Sequence, residues 1–249
     1  MTDRWRVGAN LATAANGVLG VGAIAYTLAG NKLWAMLLLV LAIGFDGLDG
    51  MLSRRSPRPP AVFGRVADSV SDAVSFGIAP AVLLAVHTSD AATWAPYALL
   101  TTAVAAGYLA AAIARLVYFT ARAHALPYFR GVPTPQSTLA LVVVLLFHDT
   151  PALAGVAPLG VVAGASVLAV LMVAPVPYPK VRRGSPMRPV ATAAAALAAV
   201  SLVPLQFRPA GGSVAADVAL LAAWGLLAAV ALLYLAGPFT VPRTGTHEA

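Results

Sequence analysis

Cysteine is absent from the 249-residue chain, which excludes a disulfide framework and any thiolate nucleophile or ligand. Charge is almost as scarce. Only 10% of the residues are Asp, Glu, Lys or Arg, and nine of them are acidic. The chain also lacks internal repeats and low-complexity tails. What it has in abundance is apolar surface: 60% of residues are hydrophobic and the mean hydropathy is +0.84. The length would suit one or two soluble domains, but this composition describes a polytopic membrane protein. In such a chain the net charge of +7 belongs to topology and anionic lipid headgroups, and no nucleic-acid partner is expected. The polar stretch from Met1 to Arg6 leads into an apolar run without a small-residue cleavage site, so a first span is expected there instead of a signal peptide.

Apolar runs of about 20 residues cross a bilayer. By that measure the sequence predicts an all-α integral membrane protein with about eight transmembrane helices. The expected spans are 9–29, 33–53, 64–87, 92–120, 136–149, 155–175, 188–206 and 214–236. With both termini in the cytoplasm, every basic residue except Lys32 and Arg208 falls on the cytoplasmic side. That asymmetry is what positively charged cytoplasmic loops produce. Trp34, Trp94 and Trp224 lie near span ends, as interfacial anchors do. His87, Asp90, His148, Asp149 and Asp217 are expected to be solvated at the outer face, and His124 to sit at headgroup level on the cytoplasmic side.

Four of the nine acids occur between residues 46 and 72. Asp46 and Asp49 are three residues apart, with Ser53 four beyond, so they share a helical face beside Gly50. Gly64, Asp68 and Asp72 recur every four residues and form one face of a second helix. Between them, Arg54-Arg55-Ser56-Pro57-Arg58-Pro59-Pro60 cannot continue a helix. Two antiparallel helices are therefore expected to meet with two carboxylates each. Carboxylates within a membrane are costly and default to function. A pair of divalent cations is the simplest counter-charge, because hard ions such as Mg²⁺ take carboxylate oxygens. A cation or proton pathway in a transporter is the alternative from a different class. Such sites usually lie near the bilayer midplane, whereas this one falls at the cytoplasmic edge.

The pattern Asp46-x-x-Asp49-Gly50-x-x-Ser53-Arg54, nine residues, then Gly64-x-x-x-Asp68-x-x-x-Asp72, resembles the signature of the CDP-alcohol phosphatidyltransferases. Only Ser53 departs from it, standing where the family usually has Ala. Asn10 through Asn16 resembles the N-x-x-T-x-x-N pattern of that family's first helix, near its nucleotide site. Ser75-Phe76-Gly77-Ile78-Ala79-Pro80-Ala81, Tyr128-Phe129-Arg130-Gly131-Val132-Pro133-Thr134-Pro135 and the stretch from Leu171 to Lys180 resemble elements of its phosphatidylserine-synthase branch. Pro80 is expected to kink the third helix. The resemblance covers most of residues 10–183. It implies a six-span core at 1–183, and the apolar runs that follow, which carry no motif, add two C-terminal helices at 184–249 to the same membrane domain.

The resemblance implies transfer of a phosphatidyl group from CDP-diacylglycerol to an alcohol, with release of CMP, at the cytoplasmic face of the cell membrane. Asp46, Asp49, Asp68 and Asp72 would hold two ions of Mg²⁺ or Mn²⁺, and Asp72 would be the general base. Asn16, Gly50, Ser53, Arg54 and Gly64 would serve the nucleotide donor. Arg115, Arg122 and Arg130 would bind the acceptor, with serine favoured. A homodimer is expected among membrane lipids. One departure bears on the acceptor: where the branch typically reads R-L-A-R-F-N, this chain reads Arg115-Leu116-Val117-Tyr118-Phe119-Thr120. A sibling transferase using glycerol 3-phosphate, an inositol phosphate or another alcohol therefore stands as the alternative.

Overall fold

The computed structural model describes residues 3–57, 62–88, 97–122, 128–148, 158–179 and 225. Helix α1 (Arg4–Leu28) starts where the Asp3 carboxylate accepts the Trp5 N–H, satisfying one orphan donor of the first turn. It stops at Gly30, whose φ of 79° suits the residue without a Cβ. The N–H groups of Gly30 and Asn31 bond back to Thr27 and Tyr26. This tight reversal starts α2 (Lys32–Ser53) at once, and the two helices pack as an antiparallel pair. Trp34 stacks on Tyr26 across the reversal.

The third rod changes character along its length. It runs as α3 (Val62–Asp72), then a π-helical stretch at Ala73–Ile78, then α4 (Ala79–His87). Pro80 explains the change. Proline has no N–H to offer the carbonyl four residues back and its ring crowds that carbonyl. The π turn shifts the register, with the Ala79 N–H bonding to Val74, and the Phe76 carbonyl receives the Thr138 hydroxyl at 3.4 Å instead. The expected kink is thus met by a wider turn, a feature often found beside functional sites.

Helix α5 (Ala98–Arg122) follows, then strand β1 (Tyr128–Arg130), α6 (Thr134–His148), α7 (Pro158–Val173) and strand β2 (Pro177–Pro179). The strands pair antiparallel, Phe129 opposite Tyr178, and form a small strap unforeseen in an otherwise helical chain. The shared core takes Met36 and Leu39 from α2, Leu83 and Leu84 from α4, Tyr108 from α5, Leu141 and Leu145 from α6 and Met172 from α7. The outer surface stays apolar, with Val18, Val21, Leu99, Val117 and Val170 exposed, as a protein solvated by lipid requires.

Among the described residues four helices are long and apolar enough to span a membrane: Arg4–Leu28, Lys32–Ser53, Val62–His87 and Ala98–Thr120. They match the first four expected spans. Two shorter apolar helices, Thr134–Leu146 and Leu159–Val173, occupy the fifth and sixth positions. The expected spans at 188–206 and 214–236 lie outside the described residues apart from Gly225, as do Arg58, Asp90, Trp94, His124, Asp149, Lys180, Asp217 and Trp224. The side chain of His148 is likewise not described. His87 is a correction to the sequence expectation. It is buried, 4% exposed, because it ends α4 inside the bundle and not in a solvated loop.

Candidate active site

The last two turns of α2 carry Asp46 and Asp49, and α3 carries Asp68 and Asp72. The antiparallel arrangement brings them together. Carboxylate oxygens of Asp46, Asp68 and Asp72 lie within 4.8 Å of one another. The Asp49 carboxyl meets that of Asp68. The convergence expected from spacing is therefore what the structure has.

Helix α1 orients this cluster, through residues whose partners spacing alone does not identify. The Thr13 hydroxyl donates to Asp49 Oδ2 at 2.9 Å, and Asn16 Nδ2 donates to Asp72 Oδ1 at 3.0 Å. Both donors are buried, Asn16 completely. The close approach rests on glycine. Gly17 faces Ser71, and a Cβ on Gly20 would stand 2.8 Å from the Ser75 Cα and collide with its hydroxyl. That hydroxyl donates to the Asn16 carbonyl at 2.8 Å. Small residues at a helix contact let backbones approach closely in a membrane. Here that approach puts the Asn16 amide on Asp72, while Thr13 reaches Asp49 on α2.

Cations border the cluster on two sides. The guanidinium of Arg54 folds over Gly50, where a Cβ would lie 3.2 Å from Nη1. The charges of Arg54 and of Arg115, buried on α5, both act on Asp46. The Arg115 guanidinium lies 6.0 Å from the Phe119 ring centre. Ser53 is half-buried in the final turn of α2, with its carbonyl accepting the Ser56 N–H. Among the described residues Gly64 has only Asn10 Oδ1 near, at 3.7 Å from a Cβ that it lacks, and none of them demands glycine there. Arg130 is exposed and rests on Tyr118, while Thr120 shares a 3.0 Å hydrogen bond with Ser69, next to Asp68. Arg122 ends α5, and its side chain lies outside the described residues. At the other end of the turn, Trp5 lies between the guanidinium groups of Arg4 and Arg55, and the Ser56 hydroxyl bonds to Asp3. These contacts clip the start of α1 to the α2–α3 turn.

The donor set suits a divalent cation. Four carboxylates act on one another at short range. Asp68 Oδ1 is buried with no hydrogen-bond partner among the described residues. An all-oxygen, anionic, half-buried set of this kind is what hard cations bind.

Residues 6–176 match the family model described as CDP-alcohol phosphatidyltransferase, and the chain belongs to that family. Among its curated relatives is the archaetidylserine synthase of Methanothermobacter thermautotrophicus, 38% identical over 76 residues, which cover 30% of this chain and 33% of that protein. The CDP-diacylglycerol–serine O-phosphatidyltransferase of Helicobacter pylori is 29% identical over 177 residues, 70% of this chain and 72% of the relative. The enzyme of the same name from Bacillus subtilis is 30% identical over 171 residues, 69% of this chain and 89% of the relative. The first alignment thus spans a third of its relative's length, and the other two span most of theirs.

Proposed function

We propose that this protein transfers the phosphatidyl group of CDP-diacylglycerol to the hydroxyl of L-serine, giving phosphatidylserine and CMP. The observation that carries the proposal is the convergence of Asp46, Asp68 and Asp72, with Asp49 beside them, at the meeting of α2 and α3. The names of the relatives, which specify serine or archaetidylserine, support the choice of acceptor.

In this proposal Asp46, Asp49, Asp68 and Asp72 hold two divalent ions, Mg²⁺ or Mn²⁺. When bound, these would offset the diphosphate charge and stabilise the leaving phosphate. The chain's own groups do the rest. Asn16 occupies Oδ1 of Asp72 and so fixes the carboxylate's orientation. Asp72 takes the proton of the serine hydroxyl as that oxygen bonds to the phosphatidyl phosphorus and the P–O bond to CMP breaks. Arg54 meets the diphosphate from above Gly50. Gly50, Ser53 and Gly64 leave room for the cytidine, and Asn16, whose buried Oδ1 has no hydrogen-bond partner among the described residues, serves the donor as well. Arg115, Arg122 and Arg130 receive the serine carboxylate.

The site opens at the cytoplasmic face of the cell membrane, where the acyl chains enter sideways from the lipid. In this proposal residues 1–183 form the catalytic core, and the protein works as a homodimer with both termini in the cytoplasm. The departures at Tyr118 and Thr120 favour a second reading, in which a sibling transferase uses glycerol 3-phosphate or an inositol phosphate. Incubating purified protein with CDP-diacylglycerol and each acceptor separately, with mass spectrometry of the lipid product, decides between them. Phosphatidylserine is expected. Product from a sugar or glycerol phosphate, and none from serine, would overturn the serine assignment.

A further inference from the structure

The backbone around Arg130 is unusually constrained for a loop. Arg130 closes strand β1 opposite Pro177. Gly131 follows with φ 75°, its N–H bonded to the Val176 carbonyl at 2.9 Å, and the Val132 N–H is bonded to the Leu171 carbonyl at 3.0 Å. A Cβ on Gly131 would run into the Met172 carbonyl, with its carbon only 2.9 Å away. The strap is therefore pressed onto the end of α7. From it the Arg130 side chain reaches to α5. Its guanidinium carbon lies 5.8 Å from the Tyr118 ring centre, and Nη1 lies 3.4 Å from the Tyr118 hydroxyl. The two distances together place the guanidinium beyond the hydroxyl end of the ring and not over its face, so the Nη1–hydroxyl contact, long for a hydrogen bond, is the tie.

We propose that Tyr118 is a positioning residue for the acceptor. Its hydroxyl holds one end of the Arg130 guanidinium beside α5, with the remaining N–H donors left to receive the acceptor's carboxylate. This rests on the serine reading above. A guanidinium tied through Nη1 keeps its Nη2 and Nε donors, and a pair of such donors matches a carboxylate two by two. The same stretch of α5 belongs to the site. Arg115 lies three residues before Tyr118 and acts on Asp46, and Thr120 is bonded to the neighbour of Asp68. The positive charge that the family pattern places at position 118 is delivered in this chain from the strap, and an arginine there would repel Arg130.

Steady-state kinetics of the full chain in detergent test the proposal with Tyr118→Phe, Tyr118→Ala, Arg130→Ala and the double variant Tyr118→Ala/Arg130→Ala. Tyr118→Ala should raise the KM for serine about threefold to fivefold, the size that one net hydrogen bond supports. Turnover and CDP-diacylglycerol affinity should hold. Tyr118→Phe keeps the ring but removes the hydroxyl, and should raise the serine KM nearly as much as Tyr118→Ala. In the Arg130→Ala background, Tyr118→Ala should have no further effect, because it acts through Arg130. Additive effects overturn the proposal, as does an unmoved serine KM in Tyr118→Ala when Arg130→Ala raises it. Phenylglyoxal labelling of Arg130, mapped by peptide mass spectrometry, reads the tie without any acceptor. Faster labelling in Tyr118→Ala supports the tie, and equal labelling overturns it. A wild-type protein that makes no phosphatidylserine removes the carboxylate as Arg130's partner, a failure distinct from that of the Tyr118–Arg130 tie.

Discussion

At the residue scale the four acids are not equivalent, because each has a different neighbour. Asp49 is held by Thr13, Asp72 by Asn16, Asp46 feels Arg54 and Arg115, and Asp68 meets the Asp49 carboxyl. If Asp72 is the base, Asp72→Asn should cut turnover by about 10²–10⁴-fold, the range of general-base catalysis, while CDP-diacylglycerol binding largely survives. Asp46→Asn should weaken both. Equilibrium donor binding measured beside turnover separates the two, and equal loss of binding in both variants would make Asp72 chiefly a ligand. Removing the Asn16 amide with Asn16→Leu strands a fully buried position beside Asp72. Its turnover should fall, with Asn16→Gln unable to restore it fully, since the longer side chain misplaces the donor.

At the element scale the site depends on how closely α1 lies against the π turn. Gly20→Ala should lower stability by about 1–3 kcal/mol through overpacking, seen as a lower unfolding temperature in detergent. Ser75→Gly in the same chain should rescue it only in part, because the Ser75 Cα itself stands 2.8 Å from the added methyl. This contact also marks the boundary of what could be read from sequence. The pairing of Asp46 and Asp49 with Asp68 and Asp72 was legible because helical spacing and a Pro-rich turn are local features. The partners of Thr13 and Asn16 were not, because they follow from how separate helices are registered against each other: Gly8 and Gly22 lie against Leu52 and Leu38 of α2, and Gly17 and Gly20 against Ser71 and Ser75. The strap was hidden for another reason. Its strands are three residues each, one of them Pro-Tyr-Pro, and carry no alternating pattern. The π turn was foreshadowed by Pro80, although a kink was the simpler expectation.

At the scale of the whole molecule, six of the expected apolar segments coincide with helices because burying backbone polar groups in lipid leaves few other solutions. Orientation is a separate matter, carried by arginines and not by apolar length. The cysteine-free chain makes it easy to test with a single introduced thiol at position 58, in the turn between α2 and α3. That thiol should resist membrane-impermeant reagents in intact cells and react after the membrane is opened. Labelling in intact cells would place the carboxylate cluster on the opposite side. The central claim, that these carboxylates form a cation-dependent transfer site, is tested most directly by serine-dependent CMP release from CDP-diacylglycerol, with and without EDTA. Release should stop in EDTA and return when Mg²⁺ or Mn²⁺ is added in excess, whereas undiminished serine-dependent release in EDTA would contradict the account.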